Sequence, residues 1–309
     1  MPPYPTSLID FQKHFPDDAA CAAYLHELRW PDGFRCPKCA HHVAWELKTK
    51  PWTYECASCH HQASLRAGTI MQDSKLALRV WLWAAWLMAT HSNGISAKQL
   101  GHQLGLGSYK TAWLLCRKLR QAMVDPERNP LSGLVEIDET SIRYRARDAP
   151  PAGGRGRSHE GKIMLAGGVE IGKDHVGRIR LEPIADYSAD SLHAFIKDNV
   201  AEGACARTDG WSAYEGAPGV THEPHVIGAM AAHIVLEWIH RVFANLKRWA
   251  LGVYHGLRQG AHIKAYLDEF VFRFNRRKRR PAGFRTLLRI AMKTKPETYK
   301  MLTKPETAG

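Results

Sequence analysis

Val135-Glu136-Ile137-Asp138-Glu139-Thr140 opens on strict alternation of apolar and acidic residues, the two-residue period of a β-strand with distinct faces. An aspartate in such a strand can project from a sheet into a cleft. The segment also marks a change of texture. Before it the spacing predicts helices over Leu76 to Thr90, Ser96 to Leu104 and Ser108 to Met123, and then a linker at Pro126 and Pro130. After it come short β-like runs, Leu134 to Ile142, Lys162 to Ile171 and Gly177 to Ile184. A helix over Ser188 to Asn199 and a strand near Gly203 to Thr208 follow. Thr208-Asp209-Gly210-Trp211-Ser212-Ala213-Tyr214 places a second aspartate just past that strand, 71 residues beyond Asp138, with room between for two strands and a helix. Longer helices are expected from about Ala229 to Leu251 and from His262 to Phe274. The loop from Arg147 to Gly161 is rich in Pro, Gly and Arg.

The N-terminal part has its own chemistry. Phe11 to His14 and Asp17 to Leu28 have helical spacing, with Asp17 suited to a cap. Cys36-Pro-Lys-Cys39 and Cys56-Ala-Ser-Cys59 are two C-x2-C knuckles sixteen residues apart, the spacing of a structural zinc ribbon. Four thiolates leave no open coordination position, so this Zn2+ is expected to fold the ribbon and not to catalyse. His60 and His61 are read as surface or DNA-facing residues and not as ligands, and Cys21, Cys116 and Cys205 as ordinary buried cysteines. Residues 96–115 suit a helix-turn-helix: Ser96 and Ser108 as caps, Leu100 and Leu104 inward, Gly105 and Gly107 in the turn. Its second helix would offer Tyr109, Lys110 and Arg117 to a major groove; a plain helical hairpin fits the same pattern.

Bulk properties agree. Lys and Arg total 43 against 30 Asp and Glu, a net charge of +13 that favours a polyanionic partner. No apolar run approaches the ~20 residues that span a bilayer, and no charged-then-apolar secretory leader is visible. Seven cysteines, an odd number with four in close pairs, fit a reducing compartment better than a disulfide framework.

Several segments in one order carry a more specific likeness. The zinc ribbon, Gly68-Thr-Ile-Met-Gln-Asp-Ser-Lys75, the helical block, Glu136-Ile-Asp138-Glu-Thr140, Asp209-Gly-Trp-Ser-Ala-Tyr214, Asn245-Leu-Lys-Arg-Trp-Ala-Leu-Gly-Val-Tyr-His255 and Tyr266-Leu-Asp-Glu-Phe-Val-Phe-Arg-Phe-Asn-Arg-Arg277 together resemble the bacterial insertion-sequence transposases of the ISXO type. The resemblance covers nearly the whole chain. It implies an α+β architecture: a zinc ribbon and helix-turn-helix, then a ribonuclease-H-like mixed-sheet domain with a DDE-type acidic triad and catalytic Mg2+ or Mn2+. Asp138 and Asp209 would be the first two members. At the third, His240 stands where a glutamate is usual, a DDH variant. Glu237, one turn earlier, is the alternative carboxylate. His240 and Lys247, seven residues and ~700° apart, share a helix face. Imidazole, softer than carboxylate, would tilt the site toward manganese.

The implied domains are residues 1–70 (N-terminal helix and zinc ribbon), 71–126 (helix-turn-helix), 131–290 (catalytic) and 291–309 (tail). Chemistry of this kind holds two cations ~3.5–4 Å apart, so no protein nucleophile is needed. Tyr144, Tyr214 and Tyr254 are then packing or DNA-contact residues, and Lys247 would hold a DNA phosphate. Arg273 to Arg280 carries six cations in eight residues, and Arg276, Arg277 and Lys278 are expected on the phosphate backbone. The expected partners are double-stranded DNA, as terminal inverted repeats and target, and further protomers, at least a dimer on DNA. The expected location is the bacterial cytoplasm, on the nucleoid, with no membrane. Two other readings stay open: a catalytically inactive DNA-binding regulator derived from a transposase, and a resolvase-like nuclease on the same fold. Taken alone, Glu136, Asp138 and Glu139 equally suit an exposed acidic edge.

Overall fold

The computed structural model describes residues 2–143, 161–173, 175–225, 235–254 and 262–303. The chain forms two compact units, residues 1–125 with 276–303, and residues 126–275.

The first unit starts with α1 (Leu8–His14) and α2 (Asp18–Arg29). Asp17 caps α2 by accepting from the Ala20 amide. A small antiparallel sheet follows, β1 (Ala44–Glu46), β2 (Thr53–Cys56) and β3 (Gln62–Ser64). Next come α3 (Leu78–Thr90), α4 (Ala97–Gln103) and α5 (Tyr109–Gln121). Ser96 caps α4 as expected, whereas Ser108 makes no capping hydrogen bond. Gly105 supplies the left-handed residue of the α4–α5 turn, at φ +63°.

The core of this unit is aromatic. Phe11 lies 4.4 Å from Trp83 and 5.7 Å from Phe284, and Phe284 also meets Phe15, Tyr24 and Trp86. Phe284 belongs to a helix that the sequence pattern did not mark. The chain was expected to stay in the catalytic domain to residue 290. Instead it returns to the first unit at Arg276, because Phe284, Leu287 and Leu288 complete this core.

The second unit is a five-stranded mixed sheet. Its strands are β4 (Leu134–Arg143), β5 (Lys162–Ile171), β6 (Val176–Ile184), β7 (Cys205–Thr208) and β8 (Thr221–Pro224). The spatial order is β6-β5-β4-β7-β8, antiparallel on the β6–β5–β4 side and parallel on the β4–β7–β8 side. That order is the ribonuclease-H-like arrangement. Helix α6 (Ala189–Asn199) covers one face, packing Leu192, Phe195 and Ile196 with Val135, Ile137 and Tyr214. Helices α7 (Glu237–Tyr254) and α8 (Ile263–Asn275) cover the other, packing Phe243 and Leu267 with Ile142 and Leu181 of the sheet. Asn275 pins edge strand β6, accepting from the Ile179 amide and donating to its carbonyl. In the first unit, α9 (Arg280–Ala291) and the short α10 (Tyr299–Thr303) complete the described chain. Among the described residues no helix is long and apolar enough to cross a membrane.

Candidate active site and zinc centre

The ribbon cysteines stand ready for an ion. Their four sulfurs lie within 4.8 Å of one another, with Cys36–Cys59 and Cys39–Cys56 at 3.6 Å. Sulfurs at the corners of a zinc tetrahedron, ~2.3 Å from the ion, are about 3.8 Å apart, so the set fits Zn2+. The two knuckles are built alike. The Ala40 and His60 amides bond back to the Cys36 and Cys56 carbonyls, and both residues have left-handed φ, 61° and 56°. Desolvation opposes ionisation of Cys36, but the amides of Cys39 and Lys38 together with the Cys39 and Cys59 side chains outweigh it and bring the thiol down to about 7. His60 therefore serves the turn. Cys21 and Cys116 are buried and Cys205 half-buried.

The second site is assembled from three elements. Asp138 sits in β4, between β5 and β7, and is 5% exposed. With Glu136 at 4%, this excludes the exposed acidic edge. β4 and β7 run parallel with Glu136 opposite Arg207, and continuing that register brings Asp209 opposite Asp138. Asp209 accepts from the Trp211 amide at 3.0 Å, which turns the chain away after the strand. From α7, His240 brings Nε2 to 3.2 Å from Asp138 Oδ2. Glu237 points elsewhere: it is exposed and pairs with Arg241. Lys247 is exposed on α7, where desolvation lowers its pKa and the charge of Asp138 opposes that shift.

Burial raises the Asp138 pKa to about 8, reinforced by the charges of Glu139 and Asp209 and moderated by the Glu139 amide, which donates to Oδ1 at 2.8 Å. A buried carboxylate flanked by two others lacks positive charge. Two donors at right angles, ~2.1 Å from one cation, lie ~3 Å apart, close to the Asp138–His240 separation. The donor set thus fits a divalent cation. Among the described residues only the four thiols bring three or more donors within 4.8 Å of one another, so Asp138, Asp209 and His240 form a more open arrangement.

Three features had little or no sequence signal. Tyr214, buried beneath the sheet, donates its hydroxyl to Glu139 Oε2 at 2.6 Å, and burial raises its pKa well above 10. Gly167 lies opposite Asp138 on β5, and a Cβ there would come within 2.6 Å of the Phe243 ring. Only glycine lets α7 approach the sheet this closely at Asp138. Glu136 bonds two amides at the start of α7.

Two family matches place this architecture. The ISXO2-like transposase domain matches residues 130–275, the segment holding Asp138, Asp209 and His240, and the transposase zinc-ribbon domain matches residues 16–62. Residues 130–275 thus carry an ISXO2-like transposase domain, behind a transposase zinc ribbon. It is also similar to an uncharacterized protein in transposable element ISH50 of Halobacterium salinarum, 26% identical over 215 residues, covering 66% of this chain and 71% of that protein.

The DNA-contact candidates of the transposase fall into two groups. Tyr109 is 64% exposed at the start of α5, and Lys110 beside it rests its ammonium over the Tyr299 ring at 4.2 Å. Lys278 is exposed. Arg117 is half-buried in α5. Arg276 and Arg277 are half-buried too, with pKa values lowered by burial, and Arg276 feels the charge of Asp125. Arg273 is an ion-pair partner of buried Glu269. The basic run is thus split between structural and exposed positions. Tyr144, residues 144–160 of the basic loop, and residues 229–234 of the expected long helix lie outside the described residues.

Proposed function

We propose that this transposase cuts DNA at the terminal inverted repeats of its element and joins the freed ends to target DNA, at a site built from Asp138, Asp209 and His240. The observation carrying this reading is the 3.2 Å approach of His240 to buried Asp138 beside Asp209. The two carboxylates and the imidazole hold the catalytic cations; Glu237, turned to Arg241, does not. Divalent cations held by Asp138, Asp209 and His240 would supply activation of a water or 3′-hydroxyl and stabilisation of charge on the leaving oxygen. Lys247 holds a DNA phosphate in register, while Tyr109, Lys110 and Lys278 contact duplex DNA away from the chemistry. The zinc ribbon is structural. Pairing two ends calls for at least two protomers, and the protein acts in the cytoplasm where the nucleoid is.

The test is an oligonucleotide nicking and strand-transfer assay with the element's end sequences in Mn2+ and in Mg2+. The expected result is nicking and joining, faster in Mn2+, and lost in Asp138→Asn. Binding without nicking by the unaltered protein would instead make it a regulator. Equal rates in the two metals would remove the histidine-based preference.

A further inference from the structure

Glu136 is a buried carboxylate without a part in the chemistry above. Carboxylates are seldom buried unless something compensates the charge. Here Oε2 accepts from the backbone amides of Trp238 and Ile239, both at 2.9 Å. These are the second and third residues of α7, and first-turn amides have no partner within their own helix. The preceding residue, Leu236, has no side-chain oxygen. The cap that a local Ser or Asp would ordinarily provide comes instead from a strand some hundred residues earlier, and its charge faces the positive end of the helix.

Among the described residues a similar device caps α3, with a different consequence. Ala77 cannot cap α3, and Asp18 accepts from the Leu78 and Arg79 amides at 3.0 and 2.8 Å. That contact fastens two helices of one core. At α7 the fourth residue is His240. Glu136 and Asp138 lie two positions apart on one strand face, ~6.6 Å along it. One strand therefore grips one helical turn at two points, amides at Glu136 and imidazole at Asp138. Phe243, one turn on, seats against Gly167 and sets the depth.

We infer that Glu136 is a positioning residue: by fastening the first turn of α7 to β4, it holds His240 beside Asp138, ready for a divalent cation. The inference rests on the proposed role of His240 as a ligand. Mn2+ dissociation constants, read from the electron paramagnetic resonance of free Mn2+, test it on the full chain and its variants. Circular dichroism and zinc content serve as fold controls. Glu136→Gln keeps an acceptor oxygen and is expected within ~3-fold of the unaltered protein, whereas Glu136→Met keeps the length without the acceptor and binds ~10–100-fold more weakly, as for other supports of metal ligands. Adding His240→Ala to Glu136→Met then costs little more, because the ring is already displaced. Unchanged affinity in Glu136→Met, or fully additive losses in the double variant, overturns the inference. Unchanged affinity in His240→Ala alone sinks the ligand reading instead. Should Glu136→Met not fold, amide hydrogen exchange decides: slow exchange at Trp238 and Ile239 in the unaltered protein is expected, and solvent-like exchange at both overturns the clamp.

Discussion

The ribbon and the proposed catalytic centre answer the same problem, gathering donors for a cation, in opposite ways. The ribbon draws four thiols from 24 consecutive residues and closes them to within 4.8 Å. Two knuckles with the same backbone bonds impose that geometry, and a filled tetrahedron leaves nothing for a substrate. The catalytic centre draws donors from β4, the end of β7 and α7. Those elements are set by the sheet register, by Gly167 and by Glu136. Its donors stay more open, which suits the proposed entry of DNA. In the ribbon the metal is expected to make the fold; in the second unit the fold would make the proposed metal site.

The largest expected effect tests the first half of that contrast. Cys39→Ser, or strong chelation, should remove zinc and the β1–β3 sheet together, since structural zinc contributes about 10–16 kcal/mol of binding free energy to such folds. Zinc release and circular dichroism would check it; a ribbon that stays folded without zinc breaks the comparison. At the catalytic centre the metal should only tune stability. An acid whose folded pKa is raised stabilises the fold while protonated. For Asp138 that contribution is complete below the ordinary 3.8 and is lost as pH rises through about 8. The metal-free protein should lose stability across that window, and Asp138→Asn should flatten the slope in thermal melts. Mn2+ at about 100 times its Kd should restore ~2.7 kcal/mol in the unaltered protein and much less in the variant. Gly167→Ala should cost about 1–3 kcal/mol by lifting Phe243, and should weaken Mn2+ binding as well; denaturant unfolding and a metal titration read the two effects. The smallest effect lies back in the ribbon. Ala40→Gly relieves a left-handed φ of 61° and should stabilise the knuckle by up to about 1 kcal/mol, measured by competition for zinc.

The same contrast explains what could be read from the chain alone. The ribbon was legible throughout, because its ligands are near neighbours of a chemically distinctive type. Strands β4, β5 and β6 were legible from alternation, to within a residue at each end. Asp138 and Asp209 could be found by resemblance, and His240 could be favoured over Glu237 in the same way; its approach to Asp138 needed three dimensions. Glu136 escaped because its partners are backbone amides, which leave no mark on residue type. Helix α9 escaped for another reason. It begins inside a run of cations, and its apolar residues answer to Phe11, Phe15 and Trp86, roughly two hundred residues or more away. The basic run itself misled in part, since burial of Arg273, Arg276 and Arg277 depends on packing that charge alone does not reveal.

The central claim is that Asp138 and His240 hold one cation between them. Pulsed electron paramagnetic resonance of the Mn2+-loaded protein tests it most directly, through the coupling of the metal to imidazole nitrogen. One histidine nitrogen coupling is expected, kept in Glu237→Gln and abolished in His240→Ala. A spectrum without nitrogen coupling, or one unchanged by His240→Ala, would contradict it.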